Sequence, residues 1–501
     1  MAILARRLTR VLHLALWPAL ASVGTQAQSP DTSKVNMYLE AGGYVSTSRW
    51  TPFWLRANQY GISPLSAPVA TLRFGIRKDY AADDTTTNRR HRFGWGFGVN
   101  PVVNAGAVNQ VHLPEAYVKV KYGIVEFYAG RRREVIGLGD STLSSGFIIG
   151  SGNALPVPKV QLATRGYVPL KFLKNFVAVN AGFAHGWFNV PYIRGAYLHQ
   201  KYLYTRFGKP SSSVKFHMGL NHQVLWGGEA EYLKQLPFLA KNGKLISSFK
   251  YYGNVITGTV PSGNRSQEIN EFDSYALGNT VGSIDLALEA TTRFGQFQVY
   301  HQHIFDDKSG LYFQNLPDGL TGISWKRQPS NETNTALRIN RIVVEFLSTM
   351  DQTGPAFWLP NSVFQGNDNY FNHTQYIEGW SYFGRAIGTP FIVPWNEMGP
   401  EALRSGWGGF FPNNLVNVFY LGAEGLLFNQ IKLTGRVSAS HNFGTYLALY
   451  PAPYRQVSTL LNAQVPLRRF SHTVLTTSLA LDLVQLYPSL AGAFVSVRKS
   501  W

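Results

Sequence analysis

The 501-residue chain has no cysteine, a formal net charge of +18, only 15% charged residues and 14% aromatics. No disulfide can staple it and no thiolate can hold a metal. Its charged fraction is low beside the roughly 25% of ordinary soluble domains. A chain this long would usually split into soluble domains, yet no Pro/Ser-rich linker or change of composition divides it.

In chain order, Arg6, Arg7 and Arg10 precede an apolar run over residues 11–23, and Thr25-Gln26-Ala27 offers a small-residue cleavage site. That three-part pattern predicts a secretory signal over residues 1–27, too short and too interrupted by Trp17-Pro18 for a membrane anchor. Its removal takes away three Arg and no acids, so +18 becomes +15. No cysteine follows the site, which argues against a lipoprotein. Residues 28–501 then read as one domain, with no second stretch approaching the 18 apolar residues of a membrane helix.

What the chain offers instead is alternation. Residues 117–131 read as a hairpin folding at Lys121-Tyr122-Gly123, with Val118, Val120, Val125 and Phe127 opposite Lys119, Lys121, Glu126 and Tyr128. Ile284, Leu286 and Leu288 oppose Ser283, Asp285 and Glu289. Leu433, Val437 and Ala439 oppose Thr434, Arg436 and Ser438. Leu479 and Leu481 oppose Ser478 and Asp482, and the last segment sets Val495, Val497 and Trp501 against Ser496 and Arg498. Period-2 alternation over about ten residues lets a strand cross lipid on one face and stay polar on the other. A soluble sandwich or propeller alternates in the same way. Strand length, small residues on the polar face and the absence of a propeller-type repeat favour the membrane form. The predicted fold is all-β: a transmembrane antiparallel β-barrel of about 18 strands with a small plug on the periplasmic side.

Three stretches do not alternate. Residues 48–66, around Phe53, Trp54, Ala57 and Tyr60-Gly61, suit a short helix or turn that plugs the barrel, or a simple strand connection. Residues 141–158 string Ser144, Ser145, Gly146, Gly150, Gly152 and Asn153 into Pro156 and Pro158, a shaped loop before a strand-like segment at 160–168. A loop so elaborate is expected to be functional or packed inside something. Residues 350–415 are rich in aromatics and amides, including Trp358, Asn361, Tyr370, Trp380, Tyr382, Trp395, Trp407 and Asn414. Aromatic faces stack on sugar rings and amides take hydroxyls, but rings of this kind also form the interfacial girdle of membrane barrels.

The inward positions carry both signs, Arg73, Arg77, Lys119, Lys121, Arg341, Lys432 and Arg436 against Glu126, Asp285, Glu289, Glu345 and Asp482. Structural pairs across the lumen are the plain expectation, while the excess of base favours an anionic partner such as an acidic polysaccharide or lipopolysaccharide phosphates. Nucleic acid is not expected, since no binding motif is present. His301 and His303 share a strand face, as a metal pair could, but no third ligand accompanies them. DDKSG at 306–310 lacks the full calcium-loop pattern, and GSGNA at 150–154 lacks the Lys of a phosphate loop. No nucleophile–base–orienter set can be assembled, so neither catalysis, metal nor cofactor is expected.

The stretches TPFWLRANQYG (51–61), SSGFIIGSGNALPVPKV (144–160), IFDDKSGLYFQNLPDGLTGISW (304–325) and NHTQYIEGWSYFGRAIGTPF (372–391) resemble the Wzi-like capsule assembly proteins, particularly their Bacteroidota-type branch. GNALPVPK is the most distinctive of them. The resemblance implies an outer-membrane barrel of a Gram-negative bacterium, about 18 strands, plugged at the periplasmic side. It also implies lectin-like retention of capsular or extracellular polysaccharide at the cell surface without catalysis. Carried onto this chain, it points to Trp380, Tyr382, Arg385 and Trp407, then Lys159 and Arg165, as polysaccharide contacts, and to Gly152, Asn153, Pro156 and Pro158 as structural motif residues. A strand-like segment at 37–45 follows the signal closely, leaving little room for the helical bundle that precedes the barrel in the enterobacterial branch. The competing expectations are an export or diffusion porin and an outer-membrane hydrolase. A monomer is expected.

Overall fold

A computed structural model describes residues 35–80, 93–260, 269–270, 272–274, 277–328, 336–358, 365–398 and 409–501. The signal segment 1–27, Asn361 and Trp407 lie outside them. The wall runs β1 (Val35–Ser46), β2 (Val69–Lys78), β3 (Phe93–Gly106), β4 (Gln110–Tyr122), β5 (Val125–Arg131), β6 (Lys159–Thr164, resumed at Val168–Pro169), β7 (Val177–Val190), β8 (Ile193–Phe207) and β9 (Val214–Glu229). It continues with β10 (Asn279–Thr292), β11 (Gly295–Phe305), β12 (Gly319–Lys326), β13 (Leu337–Ser348), β14 (Val416–Leu427), β15 (Ile431–Thr445), β16 (Ala448–Pro466), β17 (Thr473–Val484) and β18 (Leu490–Ser500). Each strand pairs antiparallel with the next. Both pieces of β6 pair with β7, so they fill one place in the wall.

The ring closes where β1 pairs β18, Tyr38 opposite Ser500, and Met37 N donates to Trp501 O at 3.2 Å. Closure leaves no strand edge for lipid to face unsatisfied. It is an 18-stranded antiparallel barrel.

Exposure along the strands is the reverse of a soluble protein's. On β10, Leu286 and Leu288 are 42% and 50% exposed, while Asp285 before them is 0% and Ala287 between them 3%. The same inversion sets Val437 against Ser438, Leu481 against Asp482, and Val495 against Ser496. Apolar positions form the lipid-facing coat and polar ones turn into the lumen. This decides for the membrane barrel over the soluble sandwich.

The hairpin of β4 and β5 turns one residue later than expected. Tyr122 pairs Val125, which leaves Gly123-Ile124 as the turn, with Gly123 at φ +59°. The strand expected over 160–168 breaks at Arg165–Tyr167, where Gly166 takes φ +71°.

Connections near the chain termini are mostly brief, such as Gly123-Ile124 and 428–430. The longest there, 79–92, lies largely outside the described residues. At the opposite end sit 47–68, 132–158, 230–278, 306–318 and 349–415. Since short turns face the periplasm and long loops the exterior, the long-loop end is the outer one.

Those loops fold inward. Phe53, Trp54, Phe147, Ile148, Ile149, Tyr376 and Trp380, each at most 1% exposed, join wall residues such as Val343, Val418 and Tyr420 in one apolar core. Polar ties fix them to the wall. Phe53 N donates to Asp482 Oδ2 (2.8 Å), Tyr420 OH to Leu143 O (2.5 Å), and Tyr376 OH to Gly227 O (3.0 Å). Glu345 accepts from Ser144 Oγ and Ser145 N, both at 2.7 Å. The expected small periplasmic-side plug is therefore corrected in extent and in side. The plug draws on several loops, residues 48–66 being one, and enters from the end opposite the termini. The reason is topological: β1 runs away from the terminal end, so the segment after it must emerge at the other.

Candidate functional site

The motif stretches meet although they are far apart in sequence. Around Phe53–Arg56 a single helical turn buries all four of its residues. Beyond it Tyr60 N donates to Gly152 O (2.5 Å) and Asn58 N to Asn153 Oδ1 (3.2 Å). Asn153 Nδ2 in turn donates to Ala386 O (3.1 Å), Ser151 N to Ile387 O (3.0 Å), and the Trp380 indole to Ile149 O (2.9 Å). Gly152 matters sterically, since a Cβ there would lie 3.0 Å from the Tyr60 ring. Pro158 O accepts from Trp187 N (2.9 Å), tying the motif to β7. Pro156 is half-buried beside it.

Beneath this junction lies a buried ion triad. Arg56 pairs with Glu397 Oε2, and Arg385 NH1 reaches Glu397 Oε1 at 3.1 Å. Their side chains are 3–8% exposed. Arg385 NH2 also donates to Ser63 O (2.9 Å). Two cations share one carboxylate. Burial first, and the neighbouring Arg56 second, bring the Arg385 guanidinium down to about 9.

Of the expected contact residues, Trp380, Tyr382 and Arg385 pack within the plug, and Trp407 lies outside the described residues. Trp380 is 0% exposed, Tyr382 1% and Arg385 7%. Lys159 is buried in the lumen, 3.0 Å from Glu134. Arg165 is exposed, but at the terminal end, near the Tyr80 ring at 5.2 Å. In this arrangement none of the four buried or lumenal side chains reaches the outer face. Their signal was a composition that suits a packed interior as well as a sugar surface.

Composition alone could not separate the residues of the same stretch that do face outward. Phe383 and Trp395 are 49% and 45% exposed. The turns that carry them are joined, Asn396 Nδ2 donating to Gly384 O at 3.1 Å. Each ring sits one residue from that bond. Phe383 packs edge-on against buried Tyr382 at 4.7 Å, and Arg131 NH2 donates to the Tyr382 hydroxyl at 3.2 Å. Two aromatic rings therefore stand on a fixed base at the outer end, where their faces can take a sugar ring; the Asn396 amide is taken up in joining the turns, its Oδ1 buried. Trp358, 73% exposed, adds a further ring on the same long segment.

Many lumen charges are paired, as expected of structural bridges, while Asp285, Glu345, Asp482 and Arg436 are held by hydrogen bonds to neutral groups instead. Arg341 meets Asp140 of the plug at 2.5 Å, Lys215 meets Glu289 at 2.6 Å, Lys432 meets Glu424 at 2.9 Å, and Arg498 meets Glu40 at 2.6 Å. Burial works to raise the Asp140 carboxyl, but Arg341 and the Thr142 backbone outweigh it and hold it below the usual range. His301 and His303 lie with Val299 on the outward side of β11. His301 Nδ1 contacts Thr321 Oγ1 (2.8 Å) and His303 Nε2 contacts Gly310 O (2.9 Å). Among the described residues no three His, Cys, Asp or Glu side chains group as metal ligands.

A closed barrel with an apolar coat, a polar lumen and an inward-folded plug is an outer-membrane β-barrel. The model of the capsule assembly protein Wzi family matches residues 67–391, and the chain belongs to that family. Among solved structures it is similar to Wzi of Escherichia coli, described as an outer membrane protein involved in group 1 capsule assembly and a carbohydrate binding β-barrel. The identity is 15% and the TM-score 0.56, over 92% of this chain and 83% of that one. OccK5 (OpdH) of Pseudomonas aeruginosa is similar at 8% identity and TM-score 0.44, over 93% and 97% of the two chains. OprD of the same organism stands at 7% and 0.44, over 96% and 97%. No curated protein matches by sequence.

Proposed function

We propose that this barrel binds capsular or extracellular polysaccharide at its outer face and retains it at the cell surface during capsule assembly, without catalysis. The observation that carries this reading is the joined pair of turns presenting Phe383 and Trp395 above a packed plug. A repeating polymer can engage such a platform, and that of neighbouring barrels, many times over, so weak single contacts sum to firm retention. The excess of basic over acidic residues favours an acidic polymer by long-range attraction. Family membership and the carbohydrate binding of the Escherichia coli protein support carbohydrate as the ligand class.

The test is capsule staining of the producing strain, a deletion strain, and the deletion strain carrying Phe383→Ala/Trp395→Ala. Loss of cell-attached capsule with release to the medium is expected in the latter two. Normal capsule in the deletion strain would end the proposal. The porin reading predicts steady current in planar bilayers, where a plugged lectin stays silent.

A further inference from the structure

Below the plug the lumen holds a cavity of about 280 Å³. Ile136, Gly137 and Leu138 of the inward loop roof it, while Asn180, Tyr202 and Tyr204 of the wall line its sides. Asn180 is near the start of β7, and Tyr202 and Tyr204 are near the end of β8, which places the cavity toward the terminal, periplasmic end.

The wall is shaped to lay rings flat. Tyr202 stands opposite Gly182 and Tyr204 opposite Gly219. A Cβ at Gly182 would come within 2.4 Å of the Tyr202 ring, and one at Gly219 within 1.9 Å of the Tyr204 ring. The rings therefore lie along the barrel wall where the glycines leave room. Tyr204 is sealed, its hydroxyl on Asp285 Oδ2 at 3.0 Å. Tyr202 is only half-buried.

Charge at the cavity is uneven. Arg132 is matched by Glu126 and Glu134, and Glu134 is itself held by Lys159 (3.0 Å) and the Tyr128 hydroxyl (2.8 Å). Arg206 differs. It continues the Tyr202–Tyr204 face of β8 just beyond the cavity's own lining, and its guanidinium lies 5.1 Å from the centre of the ring of Tyr167, which does line the cavity. No carboxylate lies within ion-pair distance of it among the described residues, and its Nε is buried without an acceptor. The amide of Asn180 accepts at Oδ1 from Thr164 (3.1 Å), so its NH₂ is the group free to donate.

We propose that this lumenal cavity is a second glycan site, taking one uronate residue: Arg206 meets the carboxylate, the Tyr202 ring stacks on the sugar face, and Asn180 donates to a hydroxyl. This rests on the reading of the barrel as a glycan binder, but it concerns a different site and a different end. The volume is at the lower edge of the roughly 300–1,000 Å³ of small-molecule pockets, enough for one ring and too little for an oligomer. A neutral sugar would leave Arg206 without a counter-charge, and inorganic phosphate would leave the flat ring without a partner.

The test is titration of sodium glucuronate and, separately, glucose into the full chain in detergent, by calorimetry and saturation-transfer NMR. Heat-modifiable gel mobility checks that each variant is a folded barrel. Glucuronate is expected to bind at least about tenfold more tightly than glucose, and Arg206→Gln to remove about that factor, the scale of one charge-assisted hydrogen bond. Asn180→Ala, which changes no charge, should weaken glucuronate by a smaller factor. Phe383→Ala/Trp395→Ala should leave glucuronate binding intact even where it abolishes polymer retention, so the two sites fail separately. Equal binding of glucose, no glucuronate binding by the folded wild type, or an unchanged affinity in folded Arg206→Gln would each overturn the proposal.

Discussion

The triad of Arg56, Glu397 and Arg385 makes an asymmetric prediction about what holds the plug. Among the described residues Glu397 is the only carboxylate paired with these two guanidinium groups, in a site with side chains 3–8% exposed. Glu397→Gln keeps the shape but leaves two buried cations facing each other, which costs about 3–5 kcal/mol. Arg385→Gln loses the bonds to Glu397 Oε1 (3.1 Å) and Ser63 O (2.9 Å) but leaves Arg56 and Glu397 as a neutral pair. That costs about 1–3 kcal/mol. The assay is amide hydrogen exchange of residues 53–66 and 381–398 in detergent micelles at neutral pH. Exchange should quicken by roughly a hundredfold or more in Glu397→Gln and by far less in Arg385→Gln. Bilayer current should follow the same order. If Arg385→Gln loosens these segments as much as Glu397→Gln does, the triad is not the plug's electrostatic lock.

Other consequences are equally direct. Gly219→Ala would set its Cβ 1.9 Å from the Tyr204 ring, which Asp285 pins, and should destabilise the folded barrel by about 1–3 kcal/mol in urea titrations; no change would contradict the flat-ring packing. Leu286→Arg, at the middle of β10 on the lipid side, should cost about 2–4 kcal/mol and lower the yield of folded barrel, whereas an unaffected yield would place that face in water. Burial first, and the Asp307 carboxylate second, raise the Asp368 carboxyl to about 8, against about 3.9 when unfolded. Its folded form therefore keeps a proton that the unfolded chain has lost. Stability around residues 365–370 should be highest below about pH 4, fall as pH climbs to about 8, and level off beyond. Asp368→Asn should flatten part of that slope in exchange experiments, and a rise in wild-type stability over the same range would refute it.

The wall was legible because lipid imposes a rule that a single sequence can show. Leu286 and Leu288 must alternate with Asp285, and no distant partner is needed to see it. The plug obeys no such local rule. Trp380 and Trp395 lie 15 residues apart in one stretch of similar composition, yet one is wholly buried and the other half-exposed. Only the meeting of residues 51–61, 144–160 and 380–388 decides which. The triad likewise joins Arg56 to Glu397 across most of the chain, a pairing with no spacing signature. The side of the plug is not legible in the sequence, because a non-alternating segment says that it leaves the wall but not at which end. Counting strand direction from β1 supplies that. The motif GNALPVPK stands out by resemblance, and the structure gives its first residues a physical role as a junction between loops.

The central claim is that the outer face of a plugged barrel holds polysaccharide. Its most direct measurement is binding of the producer's own purified capsule to the immobilised full chain in detergent, wild type beside Phe383→Ala/Trp395→Ala. Capsule capture by the wild type and marked loss in the folded double variant are the expected result. Absence of capture by the wild type, or equal capture by the two proteins, would contradict it.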